Sequence, residues 1–228
     1  MDESTRKAAK RRASKRAVET VTDGDMVGLG SGSTAEHAIR LLGQKVADGL
    51  DIIGVPTSFQ AREVATEVGI ELTTLEETEG RLDVAIDGAD QFAGSDLIKG
   101  GGAAHAREKI VDGAAEELVI VVDPTKRADV LDAAIPVEIL PDARRTAADA
   151  IHDLDGEPIL RRAERKSGPV VTDNGNLIFD CDFGEITDPA ALASALSVLP
   201  GVVENGLCLD FADVVYLGTE TGVERIEP

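Results

Sequence analysis

Residues 25–47 read DMVGLGSGSTAEHAIRLLGQKVA. Asp25–Leu29 reads as a short buried strand, followed by a glycine- and serine-rich loop. Thr34–Ala47 reads as a helix, with Ala35, Ala38, Leu41 and Leu42 as its apolar positions. Strand, tight glycine turn and helix in this order form the opening unit of a parallel α/β sheet.

The alternation continues outward from this stretch. Strands are expected at 51–55, 70–73, 82–86 and 118–122, with helices at 59–68 and 103–115. Pro56-Thr57-Ser58 is a strand stop followed by a helix cap. Upstream, Ser4 is the expected N-cap of an amphipathic helix that turns Ala9, Ala13 and Val21 inward. Beyond residue 130 the pattern changes to strand 135–140, helix 143–154, strand 158–161, a hairpin of 169–172 and 176–181 about Asn174-Gly175, helix 189–199 and strand 201–208. This is the β-α-β-β-α-β order of a ferredoxin-like unit. Strands 214–218 and 223–226 then return to the first sheet. The expected fold is therefore α/β: a Rossmann-like, mainly parallel domain (1–130 and 209–228) with a small α+β domain (131–208) inserted.

Composition bounds the function. The 228 residues carry 43 Asp+Glu against 23 Lys+Arg, a net charge of −20, and only 3% are aromatic. Seven of the basic side chains lie in residues 1–16 (Arg6, Lys7, Lys10, Arg11, Arg12, Lys15, Arg16), so the remainder stands at −25. Such a body repels nucleic acid and anionic membranes, and would repel a sugar phosphate without a local cationic pocket. Acids spread along the whole chain, with 8 Lys against 15 Arg, point to adaptation to a high-salt cytoplasm. No apolar run approaches a membrane span, and no secretory leader is expected. Cys181 and Cys208 are too few for a disulfide framework or zinc site, which makes a reduced, cytoplasmic protein the expectation.

Five segments have the composition of a reactive site. Gly28–Thr34 (GLGSGST) places three glycines and three hydroxyls at a strand–helix junction, where free amides and the helix dipole favour an anion. It is neither a dinucleotide fingerprint nor a Walker A loop, since Ser33 replaces the third glycine and no Lys precedes Thr34. Asp87-Gly88-Ala89-Asp90 follows a strand, where its carboxylates could bind sugar hydroxyls, exchange protons, hold a metal or cap a turn. Lys99–Ala104 (KGGGAA) gathers backbone amides beside an ammonium, a candidate oxyanion site. Glu108 shares a helical stripe with Ala104, Val111 and Ala115; it is either a solvated helix glutamate or a half-buried base. Lys126, in Asp123-Pro124-Thr125-Lys126, could balance a phosphate. His37, His105 and His152 have no metal-ligand spacing, and His105 adjoins the glycine loop.

With Gly54–Gln60 (GVPTSFQ), Arg107-Glu108-Lys109, Pro136-Val137-Glu138, Val171–Asn176 (VTDNGN), Pro200–Leu207 (PGVVENGL) and Gly218-Thr219, this ordered set resembles type A ribose-5-phosphate isomerase from about residue 20 to the C-terminus. The resemblance implies interconversion of ribose 5-phosphate and ribulose 5-phosphate through an enediolate, in the non-oxidative pentose phosphate pathway, with no metal and no organic cofactor. It places the general base on Glu108, with Asp87 and Lys99 assisting. Substrate binding falls on Ser31, Gly32, Ser33, Thr34, Asp87, Gly88, Ala89, Asp90, Lys99, Gly100, Gly101, Gly102 and Lys126, and Lys10 matches a basic N-terminal position near the substrate. A homodimer or homotetramer is implied. Departures are few: Ser31 for Thr, Gln91 for Glu, and His105 and Cys208 for residues that are commonly apolar and Phe. The alternatives are a non-catalytic sugar-phosphate sensor, for which the chain has no DNA-binding module, and a related aminosugar-phosphate deaminase or coenzyme A transferase.

Overall fold

The computed structural model describes residues 1–228. In chain order its elements are α1 (Glu3–Ala17), β1 (Met26–Leu29), α2 (Gly32–Ala47), β2 (Ile53–Pro56), α3 (Phe59–Glu67), β3 (Glu71–Leu72), β4 (Leu82–Asp87), β5 (Gln91–Ala93), β6 (Asp96–Ile98), α4 (His105–Asp112) and β7 (Ala115–Val122). There follow β8 (Ile135–Ile139), α5 (Arg144–His152), β9 (Glu157–Leu160), β10 (Leu177–Asp182), α6 (Pro189–Ser197), β11 (Val202–Asn205), β12 (Leu207–Cys208), β13 (Val214–Gly218) and β14 (Val223–Ile226). No helix is long and apolar enough to cross a membrane.

The chain divides into two compact units: residues 1–89, 107–127 and 211–228, and residues 90–106 with 128–210. The first holds a seven-stranded sheet in the order β14-β13-β7-β4-β1-β2-β3. All neighbours are parallel except β13 and β14. From β1 the chain winds outward through β2 and β3, then crosses to β4 on the other side. The switch point of the sheet therefore lies at the carboxyl ends of β1 and β4, where open α/β sheets place their ligands. Residues Leu29 and Ile86 are register partners there, so the loops after both strands start at one level.

Small and branched side chains build this core. Ala13, Ala17, Ala38, Ile39, Leu42, Ala61, Val64 and Ala65 of α1–α3 pack with Val27, Leu29, Val84, Ile86, Val119 and Val121 of the sheet. Val111 of α4 packs with Val55 and Leu82. The α4 helix comes close to β1: a Cβ on Gly28 would lie 3.2 Å from Val111 and 2.7 Å from Ala85.

The second unit holds two antiparallel sheets. One is four-stranded in the order β11-β8-β10-β9, which, numbered within the β-α-β-β-α-β run, is the 4-1-3-2 arrangement of a ferredoxin-like unit. Its core joins Ile135, Val137, Ile139, Phe179 and Cys181 to Ala147 and Ile151 of α5 and Leu196 of α6. The other is β12-β6-β5.

Several elements differ from their sequence-based bounds. Asp2, not Ser4, caps α1 by accepting from the Thr5 amide at 2.8 Å; the helix ends at Ala17, and buried Val21 follows it. The helix expected at 103–115 is confined to 105–112, because Ala103 adopts a left-handed φ of 59° before it and Gly113 ends it, releasing Ala115 into β7. The β5–β6 hairpin has no counterpart among the strands expected from sequence. Its strands are too short to show a period, and its signal is Gly94-Ser95, with Gly94 at φ 60° in the first turn position. The strand expected at 201–208 splits at Gly206 between the two sheets. Lys99 N donates to Gly206 O at 2.9 Å, and a Cβ on Gly206 would lie 2.3 Å from Lys99 O. Pro169–Thr172 makes only two isolated bridges, at Pro169 and Val171, and the turn beyond it is a three-residue loop closed by Thr172 and Asn176. The sequence reading placed 90–106 with the α/β part; by contacts this segment belongs to the second unit.

Candidate active site

In the first unit, the loop after β1 is held by the end of β4. Asp87 is buried, and its Oδ1 accepts from Ser31 N at 2.9 Å and Gly88 N at 2.6 Å. That approach requires glycine at position 30, where a Cβ would sit 2.2 Å from Asp87 Oδ1. Ser31 stands at the N-cap position of α2 but gives it no side-chain cap. Its hydroxyl is committed to Thr57 Oγ1 (2.7 Å) and Ser58 Oγ (2.6 Å), while Gln60 Oε1 takes the Gly32 amide at 2.9 Å. The start of α2 is thus braced from the side by the segment after β2, and its dipole faces the open end.

Lysines approach the same loop. Lys10 Nζ, on α1, donates to Ser33 Oγ at 2.9 Å and stands 3.9 Å from Asp123 Oδ2. Burial lowers the Lys10 pKa below its usual value; the charges of Arg6 and Lys126 push the same way, against Asp123. Asp123 orders the turn that carries Lys126, accepting from Thr125 N (3.0 Å) and Thr125 Oγ1 (2.6 Å). An anion seated here would relieve the repulsion between the cations.

Glu108 lies in the first turn of α4 and is 4% exposed. It is therefore not a solvated helix glutamate.

In the second unit, Lys99 follows β6 and is 1% exposed. Asp90 Oδ2 accepts from Gly101 N at 2.6 Å. His105 is fully buried, with Nε2 3.2 Å from Glu204 O, and its ring backs onto Gly100, where a Cβ would lie 2.5 Å from Nδ1. Arg161 Nη1 donates to the carbonyls of Gly100 (2.9 Å) and Gly101 (3.0 Å).

The structure thus brings together Ser31, Gly32, Asp87 and Gly88, and separately Lys10, Ser33 and the Lys126 turn, within the first unit. Asp90 and Gly101 meet in the second. The sequence reading did not single out Thr57, Gln60 or Arg161 as site supports. Thr57 and Gln60 sit in the GVPTSFQ segment, a usable signal; Arg161 follows an ordinary edge strand and had none.

The family model for ribose 5-phosphate isomerase A (phosphoriboisomerase A) matches residues 53–222. A ribose-5-phosphate isomerase A of Natronomonas pharaonis is 60% identical over 217 residues, spanning 95% of this chain and 96% of its own. The solved ribose 5-phosphate isomerase A of Methanocaldococcus jannaschii is similar with a TM-score of 0.92 at 43% identity, over 96% of this chain and 98% of that one. A D-ribose-5-phosphate isomerase solved with phospho-erythronic acid is similar with a TM-score of 0.95 at 39% identity, over 100% of both chains.

Proposed function

This chain belongs to the ribose 5-phosphate isomerase A family, an aldose–ketose isomerase family, and from that premise we propose how its residues carry the reaction. The substrate pair is ribose 5-phosphate and ribulose 5-phosphate, and the intermediate is a cis-enediolate. The proton moves between C1 and C2, so one base facing one side of the sugar must both remove and return it. Glu108 is that base. The carrying observation is its burial to 4% exposure within α4, since a carboxylate withdrawn from water is a stronger base toward a carbon acid than a solvated one.

Charge that leaves C2 collects on the neighbouring oxygen. The Lys99–Gly102 segment supplies an ammonium and backbone amides for it. Asp87, with Lys99, opens the ring and moves the proton between O1 and O2. Gly88, Ala89 and Asp90 take sugar hydroxyls. The phosphate takes the α2 start at Ser31–Thr34 with Lys10 and Lys126, which supplies the cationic pocket that a −20 protein needs to hold an anion. The reaction needs no metal and no organic cofactor. The enzyme acts as a homodimer or homotetramer in the cytoplasm, in the non-oxidative pentose phosphate pathway.

Conversion of ribose 5-phosphate by the purified protein in molar KCl with excess EDTA tests this reading. Rapid conversion is expected. Glu108→Gln should lower kcat by about 10²–10⁴-fold, the range of a general base, with KM little changed. Near-normal turnover by that variant would remove Glu108 from its role, and no conversion by a folded wild type would overturn the reading.

A further inference from the structure

Arg161 is 60 residues from Gly101 in sequence and has the least exposed side chain of the paired arginines, at 16%. Its guanidinium is divided between two tasks. Nε and Nη2 donate to Asp180, at 2.9 Å for Nε. Nη1 turns both its hydrogens to the carbonyls of Gly100 and Gly101, at 2.9 and 3.0 Å. Asp180 lies on β10, beside β9, and Arg161 directly follows β9, so the clamp is anchored on the four-stranded sheet.

The two peptide units behave differently. The unit joining Gly100 to Gly101 is held at both ends: its carbonyl also accepts from Ala103 N at 2.9 Å, and its N–H goes to Asp90 Oδ2. The unit joining Gly101 to Gly102 is held only by Arg161, through its carbonyl. Gly102 N has no acceptor within the chain, and both residues of that unit are exposed. In a trans peptide the N–H points opposite to the C=O. Fixing the carbonyl on Arg161 therefore aims the Gly102 N–H away from it. Between two glycines no side chain resists rotation of that peptide, and a rotated unit would present a carbonyl oxygen in place of the amide.

We infer that Arg161, held by Asp180, is a positioning residue that keeps the Gly102 N–H available as a donor to the oxyanion of the reaction. This rests on the assignment of Lys99–Gly102 as the oxyanion segment. In this role Arg161 acts through the peptide it holds rather than on the reacting atoms. A planar guanidinium gives two hydrogens to a carboxylate and two more to carbonyls in one fixed fork, whereas an ammonium has only three hydrogens and no such plane.

The test compares wild type, Arg161→Met, Arg161→Lys and Asp180→Asn for kcat, KM, melting temperature and affinity for phospho-erythronic acid. That acid carries a carboxylate at the carbon end of a phosphorylated sugar chain, as an enediolate carries its charge. Loss of a single oxyanion donor costs about 10²–10³-fold in kcat, and a donor left misaimed should cost roughly 10–100-fold. Arg161→Met is expected to show that loss with KM within about threefold, and a parallel loss of affinity for the acid. Arg161→Lys and Asp180→Asn should fall between it and wild type. A folded Arg161→Met with wild-type kcat overturns the inference, as does a fall in kcat with unchanged affinity for the acid. If Arg161→Met does not fold, Asp180→Asn decides by the same readings. A wild type that binds the acid without isomerising ribose 5-phosphate overturns the functional reading instead, and the variants' affinities for the acid then judge the clamp alone.

Discussion

Asp87 holds two amides with one oxygen, and Gly30 makes the approach sterically feasible. Any side chain at position 30 must displace the Asp87 carboxylate or the backbone of β4. Gly30→Ala should therefore destabilise by about 1–3 kcal/mol, the usual cost of overpacking. It should also lower kcat/KM more than that stability loss explains, because the displaced group is a proposed catalytic one; urea unfolding beside steady-state kinetics would show both. Cys181 behaves as a core residue. Burial, aided by the Asp180 charge, pushes its thiol from 9.0 up to about 12. The folded state thus binds this proton more tightly than the unfolded state. Its contribution is complete below pH 9 and is lost as pH rises from 9 toward 12. Urea midpoints at pH 8 and pH 10.5 should therefore fall more steeply for wild type than for Cys181→Ala, and equal slopes would refute the assignment.

At the scale of elements, the turn between residues 172 and 176 depends on a carboxylate from another strand. Glu138, on β8, is fully buried, and its Oε1 accepts from Thr172 Oγ1 (2.9 Å), Asn174 Nδ2 (3.1 Å) and Asn176 Nδ2 (2.7 Å). Asn174-Gly175 announced a turn, and Gly175 does take a left-handed φ of 85°. Its register was set from outside, by three donors converging on one acceptor. Glu138→Leu should cost about 2–4 kcal/mol, since it strands donors that are partly buried. Amide exchange should rise first at Thr172 and Asn176, and a uniform change across the sheet would argue against this local role. The β5–β6 hairpin teaches the same lesson. Three-residue strands carry too little pattern to be seen, and only pairing of β6 with β12 makes them a sheet.

At the scale of the molecule, charge dominates. Residues 17–228 carry a net −25, while α1 concentrates seven of the 23 basic side chains. Self-repulsion of that size acts over about 10 Å at 0.1 M salt and about 3 Å at 1 M. The melting temperature should therefore climb with KCl, by roughly 10 °C between 0.1 and 3 M, which corresponds to about 3–5 kcal/mol for a chain of this length. Full stability at low salt would sink the high-salt reading.

What the sequence determined by itself was governed by short-range physics. Hydrophobic period, caps such as Ser58, and glycines between strand and helix revealed the parallel sheet, the ferredoxin-like order and the loops after β1, β4, β6 and β7. These signals are legible because cause and effect lie within a few residues. Tertiary structure alone decided which groups hold those loops in place. Lys10 reaches Ser33 across 23 residues, Asp87 reaches Ser31 across 56, and Arg161 reaches Gly100 across 61. It likewise decided that Glu108 is buried, because burial depends on what packs over a helix rather than on the helix's own residues. Spacing along a chain carries no information about a partner until the sheet has set the register that brings the two together.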